Sequence, residues 1–191
     1  MKLFVEGGGD SHTLRTSCRE GFSRFLRKAG LAALPRIVAC GSRQNAFKSF
    51  CAALRDGESA MLLVDSEAPV TAKSPWAHLR ERPGDKWERP VRAKEGSCHL
   101  MVQCMEAWFL ADPRMLRAFY GKGIHVEDLP PGGVESVAKD KLFQALAAAA
   151  KGAYSKRAHS FKLLARVDPE KVFEASPHAR RFKEALAKLL A

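Results

Sequence analysis

No apolar run in these 191 residues reaches the ~18 to 20 residues a membrane span needs; the longest, Leu142 to Ala150, is broken by Gln144. No membrane role is therefore expected. Met1-Lys2-Leu3-Phe4-Val5 meets Glu6 before an apolar signal core can form, so no secretory leader is expected and the cytoplasm is the expected location. There is no C-x-x-C pair. The five cysteines, Cys18, Cys40, Cys51, Cys98 and Cys104, are an odd number with mostly apolar neighbours, which reads as reduced thiols used as small hydrophobes. Cys98, His99 and Cys104 are the one conceivable zinc set, and it is disfavoured because neighbours 98 and 99 of a strand point to opposite faces. No long polar low-complexity tract, basic tail or internal repeat occurs either, which excludes a disordered or solenoid chain.

What is present is ordinary globular composition, 46% hydrophobic, enough for one domain with its own core. The formal net charge of +11 favours contact with a polyanion. The basic excess is spread along the chain. Lys151 to Arg166 stands out, holding Lys151, Lys156, Arg157, Lys162 and Arg166 with no acid, interleaved with Tyr154, His159 and Phe161. Cations alternating with rings suit phosphate and base contact, with His159 as a further phosphate contact; the alternative is a solvated basic helix face over a buried Phe161.

The first 67 residues alternate strand and helix. Lys2 to Val5 is β-prone, and Ser11 to Ala29 then places Leu14, Cys18, Phe22, Phe25 and Leu26 at helical spacing before Gly30. Arg36 to Cys40 reads as a second strand, Asn45 to Leu54 as a helix, and Met61-Leu62-Leu63-Val64 as a continuous apolar strand covered on both faces. This βαβαβ order predicts an α/β fold with a mostly parallel sheet flanked by helices. Residues 68–97, rich in Pro, Gly and charge, read as an insertion or long loop that is functional, partly mobile or both, with Trp76 and Trp87 either pinning it to the body or lying ready for a partner, the pinning role being favoured. Cys98 to Cys104 reads as a fourth strand and Met105 to Asp112 as a helix in which Trp108 and Phe109 read as core residues in preference to base-stacking platforms. The division expected is an α/β core over 1–112 and a helical C-terminal extension over 113–191 packed on it, with helices over 114–119, 137–151 and 160–166. Two short helices follow, opened by Asp168-Pro169 and Ser176-Pro177.

In a parallel sheet the active site forms beyond the carboxyl ends of the strands. Strand one ends at Glu6, its loop carries Asp10, and strand three ends at Asp65-Ser66-Glu67, so four carboxylates are expected in one crevice. Asp65 and Glu67, two apart, lean to one side. Like charges gathered this way need a cation, and oxygen-only ligands suit Mg²⁺ or Mn²⁺. Gly7-Gly8-Gly9 does not complete G-x-G-x-x-G, since His12 stands at the last position, and flanking acids repel a bare pyrophosphate, so a dinucleotide site ranks below the metal site. The competing reading has Glu6 and Asp10 merely capping the first helix.

Val5-Glu6-Gly7-Gly8-Gly9-Asp10 with Leu63-Val64-Asp65-Ser66-Glu67 resembles the Toprim signature, an acid after strand one and D-x-D or D-x-E after strand three. With Met105 to Asp112 and Tyr154 to Ser160 added, the chain is similar to a bacterial Toprim-like family of unknown function. That family is related to the nuclease domain of the overcoming-lysogenisation-defect proteins. The resemblance implies a metal-dependent nuclease hydrolysing phosphodiester bonds in DNA or RNA, encoded beside an ATPase partner in anti-phage loci. It implies that Glu6, Asp65 and Glu67 are catalytic, that Glu6, Asp10, Asp65, Glu67 and Glu106 hold one or two Mg²⁺ or Mn²⁺ ions, and that Lys156 offsets charge on the scissile phosphate. Lys151, Arg157, His159 and Lys162 complete the expected nucleic-acid contacts. Glu106 has an alternative as the partner of an arginine. With only Tyr120 and Tyr154 and no second domain, a topoisomerase is disfavoured. The alternative to a nuclease is a catalytically silent subunit of the same fold that binds nucleic acid or protein.

Overall fold

A computed structural model describes all residues, 1–191. Four strands, β1 (Lys2–Gly8), β2 (Arg36–Gly41), β3 (Ala60–Asp65) and β4 (Cys98–Met101), form one parallel sheet in the order β2-β1-β3-β4. The α/β class with helices on both faces is as the hydrophobic alternation predicts. β3 is buried at every position because successive side chains enter different cores: Met61 and Leu63 join one, Leu62 and Val64 the other.

The smaller core lies under α2 (Arg43–Arg55) and the 68–97 insertion. The insertion is built rather than loose. It carries α3 (Pro75–Glu81), whose first turn is capped by Ser74 accepting from the Ala77 N–H, and its Trp76 and Trp87 are both 4% exposed. Trp87 stacks on Phe47 of α2 with ring centroids 4.3 Å apart. The pinning role of the tryptophans therefore holds, and the long-loop reading gives way to a folded strap.

The larger core joins α1 (His12–Lys28) to the C-terminal helices: α4 (Pro113–Tyr120), α5 (Lys139–Ala149), α6 (Lys156–Leu164), α7 (Pro169–Ala175) and α8 (Pro177–Leu190). Phe22, Phe25, Trp108, Leu163, Phe173, Phe182 and Leu186 all belong to it, so residues 113–191 bury themselves against α1 and the sheet. Trp108 and Phe109 are fully buried core residues. β4 is shorter than the sequence suggests, ending at Met101, and Met105–Ala111 is a 3₁₀ helix rather than an α-helix. α6 begins four residues before the expected start because Ser155 caps it, accepting from the Ala158 N–H. No helix is long and apolar enough to cross a membrane.

Candidate functional site

β1 and β3 are neighbours, so their carboxyl ends open side by side, and there the chain gathers Glu6, Asp65 and Glu67. One carboxylate oxygen from each lies within 4.8 Å of the others. The glycines after Glu6 are sterically required. Gly8 has φ +87 and a Cβ there would sit 2.8 Å from the Arg15 Cα, while Gly41, at φ +78, would drive a Cβ to 2.6 Å from the Gly9 carbonyl oxygen. The β1–α1 turn is thus folded hard against the start of α1 and the end of β2, leaving the cleft in front of it open.

Asp65 ends β3 with its backbone N–H donating to Glu6 Oε2 at 3.1 Å and its Oδ1 accepting from the Met105 N–H at 2.9 Å. Glu67 lies beyond the strand and reaches the same carboxylate cluster by another route than strand alternation. Its φ is +63, a conformation costly for a side chain with a Cβ, held by its N–H donating to the Gln103 carbonyl. Ser66 is locked between them, its hydroxyl donating to the Ala68 carbonyl and its own carbonyl accepting from His78 Nε2 at 2.9 Å.

Two cations absent from the sequence reading complete this arrangement. Lys139, at the first residue of α5, places Nζ 2.5 Å from Glu67 Oε1 and 3.4 Å from Asp65 Oδ2. Arg43, at the first residue of α2, donates to Glu6 Oε2 (3.2 Å) and to the Asp65 carbonyl (2.7 Å). Its other nitrogens grip the buried Asp85 of the insertion in a bidentate pair at 2.8 and 2.7 Å, and Trp87 packs under the guanidinium. The insertion thus holds the arginine that orients Glu6. Arg43 had a signal, since it follows β2 at the same carboxyl edge that exposes Glu6 and Asp65. Lys139 had none: it lies 74 residues from Asp65 within an unremarkable amphipathic helix.

Burial raises the Glu6 carboxyl above its ordinary range against the pull of Arg43 and the Asp65 N–H. Asp65 is pushed well up, by burial first and then by the Glu6 and Glu106 carboxylates. Lys139 is held above the ordinary lysine value: burial opposes its charge, but the Asp65 and Glu67 carboxylates outweigh it.

The remaining expected ligands fare differently. Asp10 is fully exposed, 4.0 Å from Arg15, because the glycine turn carries it outward; it does not join the trio. Glu106 is buried beside Asp65 but belongs to another partnership, accepting from the Ser160 hydroxyl at 3.0 Å with Lys156 Nζ 3.7 Å away. Its cation is a lysine, and no arginine pairs with it. The cysteines are free and take no part in the cluster, so the ligands gathered here are oxygen alone.

Opposite Glu6 and Asp65, α6 forms the other wall of a cleft of about 350 Å³. Lys156, Arg157 and Ser160 line it, with Phe161 closing the floor against Gly7. Of the five expected nucleic-acid contacts, Lys156 and Arg157 therefore face the carboxylates. Lys151 is exposed outside the cleft, Lys162 turns to a separate groove with Arg24 and Arg166, and His159 is occupied by the Tyr120 hydroxyl (3.0 Å) and the Ser155 N–H. Helical rotation separates residues that look contiguous in sequence.

An all-carboxylate trio with a hydrogen-bonded backbone behind it suits a hard divalent ion such as Mg²⁺ or Mn²⁺. A family model described as a domain of unknown function (DUF4276) matches residues 5–187 of the chain. No curated protein and no solved structure matches it.

Proposed function

The chain belongs to the DUF4276 family, and from that premise we propose that it is a Mg²⁺- or Mn²⁺-dependent nuclease of Toprim type that hydrolyses phosphodiester bonds. The observation that carries the reading is the approach of Glu6, Asp65 and Glu67 to within 4.8 Å at the carboxyl edge of a parallel sheet, facing a basic wall. A divalent ion held by these three would supply positive charge beside a scissile phosphate and its attacking water. Glu6, its carboxyl raised by burial and steadied by Arg43, would serve through Oε1 either as a ligand of that ion or as the base that takes the proton of the water. The water oxygen bonds to phosphorus, the bond to the leaving oxygen breaks, and solvent protonates that oxygen. Lys156 and Arg157 hold the non-bridging oxygens. An ATPase partner, a role in anti-phage defence and a cytoplasmic site rest on the resemblance and on the sequence pattern.

The test is incubation of purified protein with plasmid, single-stranded DNA and tRNA in Mg²⁺, in Mn²⁺ and in chelator, beside Asp65→Asn. Metal-dependent cleavage confined to the unsubstituted protein is expected. A second reading, a silent nucleic-acid-binding subunit, is favoured by one observation: Lys139 and Arg43 already offset much of the acidic charge. Equal inertness of both proteins, with binding weakened in a salt-dependent way by Lys156→Glu plus Arg157→Glu, would select it.

A further inference from the structure

We propose that the site takes a single divalent ion and that the Lys139 ammonium is its second, built-in cation. This rests on the metal reading above and departs from a two-ion clamp, in which a second metal would stand where the ammonium now does.

The first argument is the allocation of oxygens. Glu6 Oε2 is taken by Arg43 and by the Asp65 N–H, and Asp65 Oδ1 by the Met105 N–H. Asp65 Oδ2 and Glu67 Oε1 face Lys139 at 3.4 and 2.5 Å. The oxygens of the trio left without a partner are Glu6 Oε1 and Glu67 Oε2, so an ion held by the trio would share Asp65 with the Lys139 ammonium. Glu106, the only other carboxylate in the cleft, spends Oε1 on Ser160 and Lys156.

The second argument is charge. Glu6, Asp65, Glu67 and Glu106 face Arg43, Lys139, Lys156 and Arg157, so four carboxylates meet four cations, while Asp85 and Arg82 balance each other. No net charge is left. A single divalent ion with one bound phosphodiester leaves one positive charge; two ions with the same phosphodiester would leave a surplus of three in a partly buried cleft, which is costly.

The third is anchorage. Lys139 opens α5, and two turns of that helix insert the fully buried Leu142 and Leu146 into the large core. The lysine side chain is only 22% exposed. Its position is fixed by the fold, unlike that of a surface lysine swinging into a passing ion pair.

The experiment is Mn²⁺ titration of chelator-stripped protein, counting bound ions by the loss of the free Mn²⁺ electron paramagnetic resonance signal. The chains compared are the unsubstituted protein, Lys139→Met and Lys139→Arg, with thermal melts to confirm folding. We expect one ion for the unsubstituted chain, two for Lys139→Met, and one again for Lys139→Arg, which keeps a cation in place. Two ions in the unsubstituted chain would overturn the inference, as would one ion in Lys139→Met; both results leave the metal reading standing. No binding by any of the three would overturn the metal reading itself, and this inference with it. Should Lys139→Met fail to fold, Lys139→Gln reads the same count.

Discussion

The chain buries two kinds of carboxylate, and they differ in what surrounds them. In the helical half, Asp112 accepts from Lys171 Nζ (2.6 Å), from the Asp168 N–H (3.2 Å) and from the Met115 N–H (3.4 Å). Glu135 accepts from the Ser176 hydroxyl (2.5 Å), the His178 N–H (2.9 Å) and His178 Nδ1 (2.8 Å). Burial works against the charge of both, yet the donors win and each carboxyl lies below its ordinary range. At the sheet edge the balance reverses: Glu6 and Asp65 stay above theirs despite Arg43 and Lys139. The first pair is arranged to hold helices together. At the second, burial outweighs the donors, and buried acids shifted this way are frequent at functional sites.

Breaking this contrast has its largest expected effect at Asp65. Asp65→Asn should abolish Mn²⁺ binding and lower cleavage by at least the ~100-fold that losing a supporting partner of a bound metal can already cost. It should not lower the melting temperature at pH 7. The sign follows from the raised carboxyl: Asp65 favours the fold while protonated, that contribution fades as pH rises through its folded pKa, and once charged it is a burden that a neutral amide removes. A marked drop in melting temperature would place Asp65 with the structural carboxylates.

Asp112 should behave oppositely. It caps α4 and ties it to α7, so Asp112→Ala is expected to cost about 2 kcal/mol in urea denaturation with cleavage per folded molecule unchanged. Glu135→Gln should cost less, about 1 kcal/mol, since an amide keeps part of the capping of α8. Because its carboxyl is depressed, the stability Glu135 provides is present above the ordinary carboxylate pKa and is lost as pH falls through the lower folded value. The acid limb of a stability-pH profile should therefore be shallower in Glu135→Gln. A smaller effect on the site side is Asp85→Asn, which loosens the grip on Arg43; we expect a few-fold loss of cleavage, with little change in Mn²⁺ stoichiometry.

Much of this contrast is legible in the sequence itself. The βαβαβ order followed from periodicities of 3.6 and 2, and strand polarity alone put Glu6 and Asp65 at the same edge. Glu67 was assigned to the cleft for an incomplete reason, since it arrives through a left-handed residue rather than by alternation along β3. Asp10 failed because three glycines with positive φ rotate the chain after Glu6, and no periodicity describes such a turn. α3 was missed although Ser74-Pro75 carries the same cap-and-proline signal that revealed the starts of α7 and α8. Lys139 has no local signature, because its role arises only when the start of α5 meets the carboxyl end of β3, a long-range contact.

The claim on which all this depends is that Glu6, Asp65 and Glu67 form a divalent-cation site. Its most direct test is Mn²⁺ binding, followed by paramagnetic resonance at pH 7, in the unsubstituted chain and in Asp65→Asn. The account predicts saturable binding that disappears with the Asp65 carboxylate; equal uptake by both proteins, or none by the unsubstituted one, would contradict it.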